Sequence, residues 1–133
     1  MSEKLTCFLI DNDIDDQEIF CMALRDVDEE ISCTVADNGV AALQKLSAQP
    51  DFVPSFIFID MNMPLMTGNQ CLQGIKKIDR LSNVPVYVYS TSSDPHTIAE
   101  AKRLGAADFF VKPAGYQKFV QLLSAVIKPV KSE

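Results

Sequence analysis

The chain is predicted to fold as a doubly wound α/β domain, a five-stranded parallel sheet with five helices. Three observations predict it. Short apolar runs recur along the chain. The clearest, Phe56-Ile57-Phe58-Ile59, is too short for a free-standing helix, and its β-branched and aromatic character suits a strand buried on both faces. Each run is followed by a single helical segment, the pattern of repeated βαβ units covering both faces of a parallel sheet. Finally, polar residues stand just past the runs: Asp11 and Asn12, Asp60 and Asn62, Ser90 and Thr91, then Lys112.

Residues 5–10 form the first strand, which ends in Asp11-Asn12-Asp13. A helix from about 15 to 25 follows. Asp13, Asp15 and Asp16 crowd its start, where the helix dipole favours negative charge. Ile19, Met22 and Ala23 recur at helical spacing as its apolar face. Residues 31–36 form the second strand, Asp37-Asn38-Gly39 a turn, and 40–46 a short helix with Val40, Leu43 and Leu46 on one side. A loop over 47–54 leads to the strand at 56–60, which Asp60, Asn62 and Pro64 break abruptly. The next helix spans 68–78, with Cys71, Leu72 and Ile75 inward.

The fourth strand covers 83–89 and exits into Ser90-Thr91-Ser92-Ser93. Asp94-Pro95 opens a helix running through Leu104, with proline in its first turn and Gly105 just beyond its end. Residues 108–111 form the fifth strand, before Lys112-Pro113. The closing helix runs from Tyr116 to about Ile127, with Phe119, Val120, Leu123 and Ile127 apolar, and a short frayed tail covers 128–133. One domain accounts for residues 1–133, with a core over about 4–128.

The formal charge of −6 argues against a nucleic-acid surface, and no apolar run is long enough to span a membrane. Nothing at the start resembles a signal segment, so a cytoplasmic location is expected. Cys7, Cys21, Cys33 and Cys71 form no Cys-x-x-Cys pair, and with His96 alone there is no zinc-ligand spacing. Buried thiols in a reducing compartment are expected.

Strand ends of a parallel sheet all point one way, so the polar residues should share one rim. In the flavodoxin-like order 2-1-3-4-5 the switch point falls between strands one and three and sets Asp11 beside Asp60. Paired carboxylates repel unless a cation joins them, and magnesium, which takes few carboxylates and keeps waters, suits such a pair. Lys112 and the Ser90 hydroxyl suit phosphoryl oxygens. Together these groups fit phosphoryl transfer by positioning and charge neutralisation.

The sequence resembles a response-regulator receiver domain (CheY-like, of two-component signalling). The resemblance lies in the acidic cluster after strand one, Asp60-x-Asn62-Met63-Pro64 with Gly68, Ser90 after Val84-Pro85-Val86, and Gly105-Ala106-Ala107-x-x-x-Val111-Lys112-Pro113. It implies a stand-alone receiver that is a phosphorylation-controlled binding module and not an enzyme beyond self-phosphorylation and autodephosphorylation. In that case Asp60 accepts a phosphoryl group from a histidine kinase or phosphotransfer protein. Magnesium is held by Asp60, the Asn62 backbone carbonyl and the acidic pair, of which Asp11 is one member. Ser90 and Phe109 form the switch, Lys112 ion-pairs with Asp60 or its phosphate, and a downstream protein reads the output. The face made by the fourth helix, fifth strand and last helix is the implied partner or homodimer surface.

This sequence departs from the family pattern at several places. Asn12 stands where the second acid is usual, which weakens the expected magnesium site. Thr91 replaces a smaller residue, Phe109 lacks a hydroxyl, and Ala114 stands where an aromatic is common. Asp13 is expected to face the helix start, His96 the solvent, and Tyr87 and Tyr89 the sheet packing. Two alternatives remain. One is a receiver-like domain that binds its partner without phosphorylation. The other is a small aspartyl-phosphate hydrolase of the haloacid dehalogenase type, suggested by Asp11-x-Asp13.

Overall fold

The computed structural model describes residues 4–92 and 94–131. Its elements run β1 (Thr6–Ile10), α1 (Ile14–Val27), β2 (Ser32–Ala36), α2 (Gly39–Ala48), β3 (Phe56–Asp60), α3 (Gly68–Lys76), β4 (Val86–Ser90), α4 (Pro95–Arg103), β5 (Asp108–Val111) and α5 (Tyr116–Lys131). A 3-10 turn at Asp79–Leu81, which the sequence pattern did not suggest, joins α3 to β4. The sheet order is β2-β1-β3-β4-β5, and every pairing is parallel, as expected.

Alternate strand residues feed two separate cores. Phe8, Ile10, Ile57, Ile59, Val86, Val88 and Phe109 meet Leu46, Leu72 and Ile75 on the α2–α3–α4 side. On the other side Cys7, Leu9, Phe56, Phe58 and Tyr89 meet Phe20, Leu24, Leu123 and Ile127 of α1 and α5. Every residue of β3 is buried, which explains why its sequence is apolar without alternation. Phe58 sits at the centre of the second core, 5.1 Å from Phe20 and 5.1 Å from Tyr87 by ring centroids. Burying a side chain of that size contributes about 2–3 kcal/mol.

Helix ends follow the predicted chemistry closely. Asp13 caps α1 by accepting from Asp16 N at 3.1 Å, and Asn38 caps α2 by accepting from Ala41 N at 2.7 Å. Thr67 and Gln70 form a reciprocal capping box on α3. Asp94 caps α4 with Pro95 behind it, and Gly105, at φ +104°, ends it.

Three expectations are corrected. On α1 the inward face is Phe20, Ala23 and Leu24, whereas Ile19 and Met22 are exposed at 41% and 52%. Phe20, the largest apolar side chain of the helix, points its ring at Phe58 and Phe119 and so fixes the helix rotation. On α2, Ala42 and Leu46 are buried but Val40 is exposed. The closing helix continues to Lys131 instead of fraying at 128; residues 132–133 lie outside the described residues.

The carbonyls at the end of α2 are satisfied from a distance. Arg80 donates from Nη2 to Leu46 O at 2.5 Å and to Gln49 O at 3.1 Å, and from Nε to Phe52 O at 3.3 Å. Arg80→Ala should therefore lower stability by about 2 kcal/mol, measurable as a shifted urea midpoint with unchanged m-value.

Candidate phosphoacceptor site

The rim is built by backbone before any side chain acts. Register pairs Ile10 with Ile59, Asp60 with Tyr89 and Ser90 with Val111, so Asp11 and Asp60 emerge level with each other, Ser90 one residue beyond and Lys112 two, all on the same rim. Ladder-type bonds continue past the strands: Asp11 N donates to Ala36 O at 3.1 Å, Met61 N to Tyr89 O at 2.9 Å, and Lys112 N to Ser90 O at 2.7 Å. Ser90 is the last residue of β4, not the head of a loop.

Asp11, Asp60 and Ser90 are the buried polar residues of the described chain. Lys112 Nζ stands 3.7 Å from Asp60 Oδ2, 3.7 Å from Asp11 Oδ2 and 2.7 Å from Asp16 Oδ2. Asp60 Oδ1 accepts from Asn62 N at 3.1 Å, and Asn62 Nδ2 donates to Ser90 Oγ at 3.1 Å. Ser92 N also donates to Ser90 Oγ, at 3.1 Å. Burial pushes the Asp60 carboxyl up to about 6; the Asn62 N–H and the Lys112 charge pull it down, and the charge on Asp11 raises it further. Burial pulls the Lys112 ammonium down, but the bond it donates to Asp16 and the charges of Asp11 and Asp60 outweigh this and leave it above its ordinary value.

The predicted set Asp11, Asp60, Asn62, Ser90 and Lys112 is thus brought together. Asn12 is exposed at the start of the β1–α1 loop, Thr91 is exposed at the exit of β4, and Phe109 is buried in the α2–α3–α4 core. No peptide bond among the described residues is cis, Lys112–Pro113 included.

Two members went unread in the sequence. Asp16, in the first turn of α1, is the nearest carboxylate to Lys112. Tyr89 packs in the core as expected, but its hydroxyl donates to Asp11 Oδ2, and Lys112 Nζ lies 4.7 Å above its ring centroid. The only cue for Asp16 was its spacing from Asp13; Tyr89 gave none apart from being a phenol at a strand end.

Whether this set suits a metal is decided by its donors. Asp11, Asp60 and the Asn62 carbonyl are all hard oxygens, and the Asp60 carboxyl is raised by burial and, in addition, by the adjoining Asp11 charge. Among the described residues no cluster of three or more His, Cys, Asp or Glu could hold a metal alone. Two carboxylates with a carbonyl leave positions for water, which fits magnesium better than a metal needing a full protein cage.

The model of the response regulator receiver domain matches residues 8–124. The chain belongs to that family. Among relatives of this receiver is the two-component response regulator ORR11 of Oryza sativa subsp. indica, 35% identical over 94 residues, covering 71% of this chain and 63% of that protein. Among solved structures, chemotaxis response regulator CheY4 of Vibrio cholerae shares the fold at a TM-score of 0.80 and 23% identity, over 93% of this chain and 99% of the other. So does a chain of the CheX-CheY-BeF3-Mg2+ complex from Borrelia burgdorferi, at a TM-score of 0.77 and 22% identity, over 92% and 89%. The receiver therefore has the five-stranded CheY-like fold, and it is a two-component signalling domain by family. No helix among its described residues is long and apolar enough to cross a membrane.

Proposed function

We propose that this receiver is a phosphoacceptor: Asp60 takes a phosphoryl group from a phosphohistidine of a kinase or phosphotransfer protein and thereby changes what the domain binds. The observation behind this reading is the Asp60 carboxylate, buried yet within 3.7 Å of the Lys112 ammonium and bonded to the Asn62 N–H. A carboxylate oxygen of Asp60 attacks phosphorus, the P–N bond breaks, and the imidazole nitrogen leaves with the electron pair and then takes a proton from water. The product is an acyl phosphate. Asp11, Asp60 and the Asn62 carbonyl would hold Mg2+, which neutralises charge on the phosphoryl oxygens when bound; the Borrelia structure carries Mg2+ by name. Lys112 supplies the fixed positive charge. Ser90 Oγ lies in the same Asn62-linked network, one side chain from the acceptor.

In this reading Ser90 turning toward the phosphate and Phe109 repacking behind it form the switch. The output is a protein partner or a second copy meeting the α4–β5–α5 face, and the location is cytoplasmic. These parts rest on the family resemblance. The haloacid dehalogenase alternative has no support in the family match.

Intact mass after incubation with magnesium and acetyl phosphate tests the reading. A phosphoryl-sized, base-labile adduct is expected on the natural sequence and none on Asp60→Asn. Because the nucleophile is the ionised carboxylate, adduct formation should slow as acid protonates Asp60, and bound Mg2+ should hold that loss to lower pH than in the metal-free site. No adduct on the natural sequence or on Asn12→Asp would turn the reading toward a phosphorylation-independent binding module. An adduct on Asn12→Asp alone would mark the metal site as the lost part.

A further inference from the structure

Tyr89 is 3% exposed and packs against Phe20 and Phe58, at 6.3 and 6.2 Å between centroids, yet its hydroxyl leaves that core and reaches Asp11 Oδ2. Asp11 is itself fully buried, and its other oxygen, Oδ1, accepts from Asp13 N at 3.0 Å. Each oxygen of this carboxylate is therefore oriented by a different element: one by the loop after β1, the other by a side chain of β4. On the ring face of the same tyrosine lies Lys112 Nζ, 4.7 Å from the centroid and 3.7 Å from Asp60 Oδ2. One residue thus touches both groups that set the charge around Asp60, a contact pattern that a purely apolar core residue cannot make.

We propose that Tyr89 is a positioning residue of the acceptor site, its hydroxyl orienting Asp11 toward Mg2+ and its ring supporting the Lys112 ammonium. This rests on the phosphoacceptor reading above. A ligating carboxylate is itself held by hydrogen bonds, and removing such an outer partner typically weakens metal affinity 10- to 100-fold. Phenylalanine at this position would keep the ring and the packing but leave Asp11 Oδ2 without its donor in a buried setting.

The test is a calorimetric Mg2+ titration, without phosphodonor, of the natural sequence, Tyr89→Phe, Asp11→Asn and the double variant, with adduct formation followed separately. Tyr89→Phe is expected to bind Mg2+ about tenfold more weakly. At saturating Mg2+ its rate of adduct formation should return to within about twofold of the natural protein, because the ring still supports Lys112. Tyr89→Leu, which loses the ring as well, should stay slow at saturation. The double variant should be no weaker than Asp11→Asn alone, since Tyr89 acts through Asp11. A residue that only filled space would leave Mg2+ affinity unchanged in Tyr89→Phe, and that result overturns the proposal while the acceptor reading stands. Additive losses in the double variant would overturn it too. If the natural sequence takes up neither Mg2+ nor a phosphoryl group, both readings fall together.

Discussion

Lys112→Met is expected to lose about 3 kcal/mol of folding stability at pH 8 and to slow phosphoryl uptake by about 100-fold or more. Lys112 Nζ is the one lysine or arginine nitrogen within 4 Å of Asp11, Asp16 and Asp60 among the described residues, and its side chain is only 14% exposed. Methionine keeps the stem's bulk over the Tyr89 ring but leaves buried carboxylates facing one another with no cation between them. The loss must depend on pH, and its sign follows from Asp60. Its folded pKa is already raised, to about 6, by burial first and by Asp11 in addition, with Lys112 working against the rise. Removing Lys112 raises it further. For an acid shifted upward, the folded state holds the proton longer than the unfolded chain. Stability is then fullest below the unfolded value near 4 and drains away as pH rises through the folded one. The variant's deficit against the natural protein should therefore be smaller at pH 5 than at pH 8. Urea midpoints at both pH values check this. An equal deficit at the two would mean that the ionisation of Asp60 has no part in what Lys112 contributes.

Gly68→Ala should be as damaging although it adds one methyl group and no charge. A Cβ at Gly68 would lie 2.8 Å from the Asp60 carbonyl oxygen and 2.8 Å from Met61 Cα, both backbone atoms that cannot swing aside. The approach is close because Gly68 N donates to Met61 O at 3.0 Å and so ties the first turn of α3 to the end of β3. Alanine must push α3 away or bend the backbone that carries Asp60. A loss of about 2–3 kcal/mol is expected, together with slower adduct formation in the fraction that remains folded. Thermal unfolding and intact-mass kinetics on the same preparation separate the two effects. A variant as stable and as reactive as the natural protein would show that the α3 end yields freely.

Much of this is legible in the sequence itself. A parallel sheet makes strand ends coincide, so Asp11, Asp60, Ser90 and Lys112 could be assigned to one rim from their positions just past apolar runs. Caps were equally legible at Asp13, Asp94 and Gly105, where local hydrogen bonding or a positive φ dictates the residue type. What escaped notice depends on rotation about an axis. On α1 two apolar triples compete, and the winner was set by Phe20 meeting Phe58 and Phe119, residues distant in sequence. The same blindness hid Asp16 and Tyr89. One is brought to Lys112 by the rotation of α1, and the other reaches Asp11 from 78 positions away in the sequence.

Asp60 ends the middle strand of the sheet, with β1 on one side and β4 on the other. Ile57 N donates to Pro85 O at 3.0 Å, at the edge of β4, and every residue of β3 is buried, so its amide hydrogen exchanges only when the centre of the sheet opens, an event that amounts to global unfolding. The segments carrying Asn62 and Ser92 lie beyond the ladder, and their amides instead bond to the side chains of Asp60 and Ser90. Exchange there reports the state of two side chains and not the integrity of the fold. The domain thus keeps two clocks at one rim: a slow one set by the strand that bears Asp60, and a fast one set by loops whose amides answer directly to the side chains of Asp60 and Ser90.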